Sequence, residues 1–250
     1  MKRVLVFGAT SSIATEFAKR MAGEGARLHL VARNADKLAG VVQSCESIAP
    51  SARITTTVAD FARLDANEDV VRTSLETLGT VDVALVAHGD LGDQLESERS
   101  FVEAERILTA NFTSVVSLLV PLANAMEAAG KGAIGVITSV AGDRGRPRNY
   151  TYGAAKGALN VYLQGLRTRL YPSGVSVTTL KLGPVDSPMT KDHTKHALFG
   201  RPESVAKDID TAIRTRVPEA YVPFFWRAIM PVVKNTPEFV FQKLPFLSGR

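Results

Sequence analysis

Cysteine is nearly missing from this chain. Cys45 stands alone among 250 residues, so no internal disulfide can form. A reducing compartment is the natural expectation, and Cys45 reads as a small apolar residue on a helix. Long hydrophobic runs are missing too. No stretch of ~18 uncharged apolar residues occurs, so no bilayer-crossing helix is expected. The opening run to Phe7 is too short, and Gly8 follows too soon, for a secretion signal. The cytoplasm is therefore the expected location. Blocks of one charge are absent as well. The net charge is +5 and the pI about 9.4, but Lys and Arg are scattered, so no nucleic-acid partner is expected. The mild excess suits an anionic cofactor, an anionic substrate or an acidic membrane surface. His193 and His196 lie three apart with no third ligand, so no metal site is expected.

What is present is ordinary globular material, with 45% hydrophobic and 22% charged residues. One domain over residues 1–250 is expected, since no linker, repeat or low-complexity segment interrupts it. Short apolar runs alternate with helical patterns. The strands expected are Arg3 to Phe7, Ala26 to Ala32, Ile54 to Val58, Val81 to Ala87, Ala133 to Thr138 and Val175 to Leu180. The helices expected are Ser11 to Gly25, Asp36 to Ile48, Ala62 to Leu78, Phe101 to Ala129 (as one or two helices) and Tyr152 to Tyr171. Near-continuous apolar strands are those buried on both faces. The alternation implies an α/β, Rossmann-type doubly wound parallel sheet of about seven strands with helices on both faces. Gly183, Pro184 and Pro188 then break the pattern. Residues 190–216 read as a substrate lid, with a polar stretch from Thr190 to His196 and a helix from Pro202 to Arg214. Residues 223–250 form a hydrophobic and basic C-terminal extension.

The first strand runs into Gly8-Ala9-Thr10-Ser11-Ser12-Ile13-Ala14, which opens a helix. Free N–H groups and the helix dipole favour a phosphate there. Gly8 allows the turn, and Thr10, Ser11 and Ser12 add hydroxyls that bind phosphate or cap the helix. Only Gly8 remains of the usual three glycines, with Ser12 and Ala14 in the other two places. The second strand ends at Val31-Ala32-Arg33, without the acid that would accept from a ribose 2′-hydroxyl. Arg33 either holds a 2′-phosphate, which favours NADP(H) while leaving NAD(H) open, or is a solvated surface arginine. Asp60, with Phe61 beside it, is a candidate for an adenine contact.

Tyr152 and Lys156 are four apart at the start of a long helix, hence on one face. Ser139 ends a strand thirteen residues earlier, and Asn111 lies in a preceding helical stretch. Ketone reduction needs a hydride on carbon and a proton on oxygen. Tyrosine is a poor acid near neutrality, and a nearby ammonium is expected to lower its pKa. A serine hydroxyl can hold the carbonyl oxygen, and an asparagine amide can support the lysine or a relay water.

With these residues in place, the chain resembles the short-chain dehydrogenase/reductase family over almost its whole length. The family's Asn–Ser–Tyr–Lys tetrad matches Asn111, Ser139, Tyr152 and Lys156 in order and spacing. The resemblance also implies that Leu182-Gly183-Pro184-Val185-Asp186-Ser187-Pro188-Met189 clasps nicotinamide, through backbone at Val185 and the Ser187 hydroxyl. Where the family usually has Asn-Asn-Ala-Gly, this chain has Val86-Ala87-His88-Gly89. Gly89 keeps the close approach to cofactor, while His88 is a cofactor-side group, a substrate-side group or a packed residue.

Ala87-His88-Gly89, Leu91-Gly92-Asp93, Ser139 to Arg146 and Phe224-Phe225-Trp226-Arg227 together resemble one branch of the family. Its reductases convert a decaprenylphosphoryl 2-keto-pentose to the arabinose epimer, with relatives in surface-polysaccharide pathways. The resemblance implies a lipid-linked keto-sugar as substrate, a partner flavin oxidase, and a homodimer or homotetramer. The rival expectation is a non-catalytic dinucleotide-binding redox sensor or scaffold.

Arg144, Arg146 and Arg148 follow Ser139 and are expected to meet a phosphodiester, or else to serve solubility or a subunit contact. The extension interleaves Phe224, Phe225, Trp226, Phe239, Phe241 and Phe246 with Arg227, Lys234, Lys243 and Arg250. That mixture suits peripheral contact with the inner face of a membrane, a subunit interface, or a cover over the core. Pro231, Pro237 and Pro245 exclude one straight helix.

Overall fold

The computed structural model of the chain describes residues 1–190 and 198–244. Seven strands form one sheet: β1 (Arg3–Phe7), β2 (Arg27–Ala32), β3 (Arg53–Val58), β4 (Val83–Val86), β5 (Gly132–Ser139), β6 (Val175–Leu182) and β7 (Glu219–Val222). They lie in the order β3-β2-β1-β4-β5-β6-β7, and every neighbouring pair is parallel. The helices are α1 (Ser12–Gly23), α2 (Ala35–Ile48), α3 (Asn67–Leu78), α4 (Gln94–Ser97), α5 (Phe101–Leu108), α6 (Ser114–Ala129) and α7 (Tyr150–Leu170). After them come α8 (Pro202–Arg214), α9 (Trp226–Asn235) and α10 (Glu238–Phe241). This is the doubly wound parallel sheet that the alternation implied.

Successive residues of β1 point to opposite faces, and both faces are covered. Val4 and Val6 join one core layer with Phe17 and Met21 of α1, Leu38 and Cys45 of α2, and Ile209 of α8. Leu5 and Phe7 join the other with Val71 of α3, Leu118 and Leu122 of α6, and Leu159 and Leu163 of α7. Two-sided burial is why these strands carry no polar alternation. The apolar run Phe101–Ala129 is long and apolar enough to cross a bilayer by composition. Its apolar side chains Val115, Leu118, Leu119 and Leu122 are spent on this second layer.

Three features depart from the sequence reading. β7 is an edge strand of four residues between Pro218 and Pro223, too short to announce itself by period. The helix expected at Pro202–Arg214 is α8, but Val205, Ala206, Ile209 and Ile213 are buried in the first core layer. It is a wall of the core beside α1 rather than part of a lid. Residues 191–197, which carry His193 and His196, lie outside the described residues. Finally, of the one or two helices expected over Phe101–Ala129 there are two, and what the sequence did not show is the π turn at Thr109–Thr113 that joins them.

The order of the sheet reverses at β1, which has β2 on one side and β4 on the other. Crevices at the carboxyl ends of the strands flanking such a switch are where open α/β sheets bind ligands.

Candidate active site

A cavity of about 1250 Å³ opens at this edge. Apart from Asn111, every residue expected for the tetrad or the cofactor lines it: Gly8, Thr10, Ser11, Ser12, Ile13, Arg33, Asp60, Phe61, Ala87, His88, Gly89, Ser139, Tyr152, Lys156, Pro184, Val185 and Ser187.

The cofactor end starts with Gly8, whose φ of 78° is left-handed. A Cβ there would sit 2.6 Å from the backbone nitrogen of His88, so the β1 and β4 termini touch only because position 8 is glycine. Ser11 caps α1, its Oγ accepting from the Ala14 N–H at 3.2 Å. The first-turn amides of Ser12 and Ile13 have no intrahelical acceptor by position, and no acidic residue stands in that turn. These open donors beside a cavity fit the pyrophosphate of a dinucleotide. Arg33 and Lys37 line the cavity beyond β2, and Arg33 is exposed. Asp60 is exposed, and its Oδ1 accepts from the Ala62 N–H at 3.1 Å, closing a turn. Phe61 is buried, edge-on to Phe7 at 5.8 Å and tilted on His88 at 4.6 Å between ring centroids. His88 therefore packs and faces the cavity at once. Its Nε2 lies 2.9 Å from Ser114 Oγ, and its Nδ1 has no partner. Burial, then the Lys156 charge, pushes its pKa down to about 3, so the ring is neutral.

Past Ser139 the chain makes a short turn, Val140–Asp143, against which α7 starts. A Cβ on Gly153 would lie 2.8 Å from the Ala141 carbonyl oxygen, so this small residue lets α7 approach the turn. Tyr152 and Lys156 thus arrive beside Ser139, both buried. Ser139 Oγ donates to the Leu182 carbonyl at a long 3.3 Å and accepts from the Ala141 N–H at 3.1 Å. Lys156 Nζ donates to the Ile137 carbonyl at 3.2 Å and lies 5.7 Å from the Tyr152 ring centroid. Asn111 is fully buried in the π turn. Its amide donates to the carbonyls of Asp90 at 2.6 Å and Ile107 at 2.9 Å, while Oδ1 accepts from the Asp90 N–H at 3.1 Å. Asn111 Oδ1 and Lys156 Nζ both face the space beside Gly89, where a Cβ would lie 2.7 and 3.2 Å from them. Asn111 pins the backbone after β4 and does not reach the cavity itself.

The protonation balance differs from the sequence expectation. Burial pushes Tyr152 up to about 12, with the Ser139 hydrogen bond opposing it, and burial pulls Lys156 down to about 8. The ammonium was expected to make the phenol more acidic. Removing water from both groups favours their neutral forms, and that burial sets both directions here.

The substrate side brings a second correction. Arg144 is not available to a ligand. Its guanidinium donates to the Val233 carbonyl at 2.9 Å, pairs with Glu238 at 2.7 Å and stacks 3.9 Å over the Phe241 ring. It clamps α9 and α10 onto the body, where Trp226, Met230, Val233 and Phe241 bury against Val140. Part of the extension is thus a cover, while Phe224 and Phe239 stay exposed. Phe246 and Arg250 lie outside the described residues. Arg146 and Arg148 do line the cavity, and so does Trp226, whose distance along the chain gave no sequence signal of its place there. Beneath the turn, buried Lys181 bonds Asp143 at 2.7 Å and Glu219 at 2.9 Å, and the Tyr221 hydroxyl donates to Asp143 at 2.6 Å. This network ties the turn after Ser139 to β6 and β7. Among the described residues no cluster could hold a metal ion.

Comparison with known proteins bears on the family and the fold. The family model described as short chain dehydrogenase matches residues 2–198. An uncharacterized oxidoreductase of Mycobacterium tuberculosis is 34% identical over 242 residues, covering 97% of this chain and 96% of that protein. Levodione reductase superposes with a TM-score of 0.82 at 22% identity, over 91% of this chain and 98% of its own. An actinorhodin polyketide ketoreductase variant, crystallised with NADPH, gives 0.80 at 22% identity, over 90% and 96%.

Proposed function

The chain belongs to the short-chain dehydrogenase family of oxidoreductases, and on that footing we propose that it reduces a ketone to an alcohol with NADPH. The observation that carries this reading is the meeting of Ser139, Tyr152 and Lys156 in one cavity with the open N-terminus of α1.

Gly8, the first-turn amides of α1, Arg33 and the 184–187 segment would hold the cofactor. A bound nicotinamide supplies the hydride that goes to the carbonyl carbon. Tyr152, neutral at physiological pH, donates its proton to the carbonyl oxygen, so hydride and proton together make the alcohol. Ser139 can exchange its long bond to Leu182 for one to that oxygen. The Lys156 ammonium stabilises the phenolate left behind. Two cationic side chains, Arg33 and Lys37, and no acid at the end of β2 support NADP(H) over NAD(H). The finer proposal for the substrate is a lipid-linked keto-sugar supplied by a flavin oxidase, supported by the branch resemblance of Ala87-His88-Gly89 and the segment Ser139 to Arg146.

The test is cofactor titration followed by turnover on a panel of ketones, keto-sugar phosphates included. NADPH is expected to bind more tightly than NADH. Tyr152→Phe is expected to lose about 10²–10⁴ in kcat with little change in NADPH affinity. A chain that binds NADPH but reduces nothing would be a sensor, and equal activity in Tyr152→Phe would refute the proton-transfer role.

A further inference from the structure

Two donors on the cavity wall have no role in the chemistry above. Trp226 is 6% exposed, yet its indole Nε1 is fully enclosed and has no hydrogen-bond partner. The ring lies flush against Gly183, where any Cβ would collide with Nε1. Gly183 directly follows Leu182, whose carbonyl Ser139 engages. The second donor is Arg146. Its Nε is also enclosed and unpartnered, and its outer nitrogen meets only the Met230 sulfur, at 3.9 Å. No ion pair joins Arg146 to a carboxylate among the described residues, and burial holds its pKa below the ordinary arginine range. Met230 lies four residues after Trp226 on α9, so the Arg146 contact and the Trp226 ring fall on one face of that helix, a turn apart.

Buried polar groups are normally satisfied, and a buried charge without a counter-charge is rarer still. Indole N–H and guanidinium can only donate, so what completes them is an acceptor, and the positive charge selects an anion. We propose that Arg146 and Trp226 form a subsite for an anionic group, a carboxylate or a phosphate, carried by the ketone that Tyr152 protonates. The proposal rests on the reductase reading for its last clause only. Exposed Arg148 on the same cavity adds positive field. Arg144 serves the subsite indirectly, by clamping the helix that carries Trp226.

Trp226 is the single tryptophan of the chain, so its emission reports on the subsite directly. The experiment saturates the protein with NADP⁺ and titrates it with inorganic phosphate, with acetate and with uncharged acetamide. A saturable emission change with an anion and none with acetamide is expected, and the tighter anion identifies the group carried by the substrate. Arg146→Met is expected to weaken that anion at least about tenfold, the scale of one charge-assisted hydrogen bond, with Arg146→Lys recovering part of it. The melting temperature of Arg146→Met is expected not to fall, since a partly buried charge with no counter-charge has been removed. A merely structural arginine would give a lower one. No saturable response to either anion, or the same response in Arg146→Met, overturns the subsite. Absence of NADP⁺ binding would overturn the reductase reading instead, and the anion titrations of parent and Arg146→Met without cofactor would still decide the subsite.

Discussion

Tyr152 and Lys156 are both enclosed, and a low-dielectric enclosure favours whichever form of each is neutral. For tyrosine that is the proton-donating form, held up to about 12, and for lysine it is the amine, reached from about pH 8 upward. Reduction needs the phenol protonated and the ammonium charged. The two conditions hold together only below the lysine value. The rate kcat/KM for reduction is therefore expected to be level near neutrality and to fall above about pH 8. In Lys156→Arg, whose charge persists to far higher pH, that fall should disappear from the profile. A profile that keeps its break near the same pH in the variant would assign it to another group. The spacing of Tyr152 and Lys156 was readable in the chain because a helix turn fixes it. Their pKa balance was not, because it depends on how much water the surrounding elements exclude.

Among the elements, α7, the π turn and the α9–α10 pair decide where the side chains end up. The π turn widens the helix at Thr109–Thr113 and directs Asn111 at the Asp90 backbone. Nothing in the periodicity of Phe101 to Ala129 announces that extra residue; only its likeness to a known tetrad marked Asn111 in the sequence. The α9–α10 pair is held by an apolar cluster and by one partly buried clamp, Arg144. Arg144→Ala removes the bonds to the Val233 carbonyl and Glu238 and the stacking on Phe241. Loss of charged hydrogen bonds of this kind costs about 1.5–3 kcal/mol. Faster amide hydrogen exchange across residues 226–241, with unchanged exchange in β1 and α1, is the expected outcome. Uniform protection in parent and variant would mean that Val140, Trp226 and Met230 hold the pair by packing alone. The three arginines after Ser139 read alike, as ligand-binding or as serving solubility or a subunit contact, yet the fold gives Arg144 to the tail and leaves Arg146 to the cavity.

At the scale of the whole molecule, the sheet is sealed on both faces by α1, α2 and α8 and by α3, α6 and α7. The outer surfaces of the central helices still show apolar residues. Phe101 and Val102 of α5 are 74% and 75% exposed, and Val161 of α7 is 68% exposed. Exposed groups of this size on adjacent helices suit contact with a second copy. Light scattering is expected to give a dimer or tetramer, and Val161→Asp to shift it toward monomer; a monomeric parent protein would end that expectation. The sequence by itself determined the doubly wound sheet, since apolar runs and helical periods are local and survive any arrangement of the rest. It also determined the Gly8 turn and the Tyr152–Lys156 pair, which need only neighbours in the chain. Only the tertiary structure decided that α8 is core, that Arg144 is a clamp, and that Trp226 stands over Gly183 in the cavity that Arg146 also lines. Those facts rest on contacts between segments far apart in the chain, and such contacts leave no period or spacing to be read.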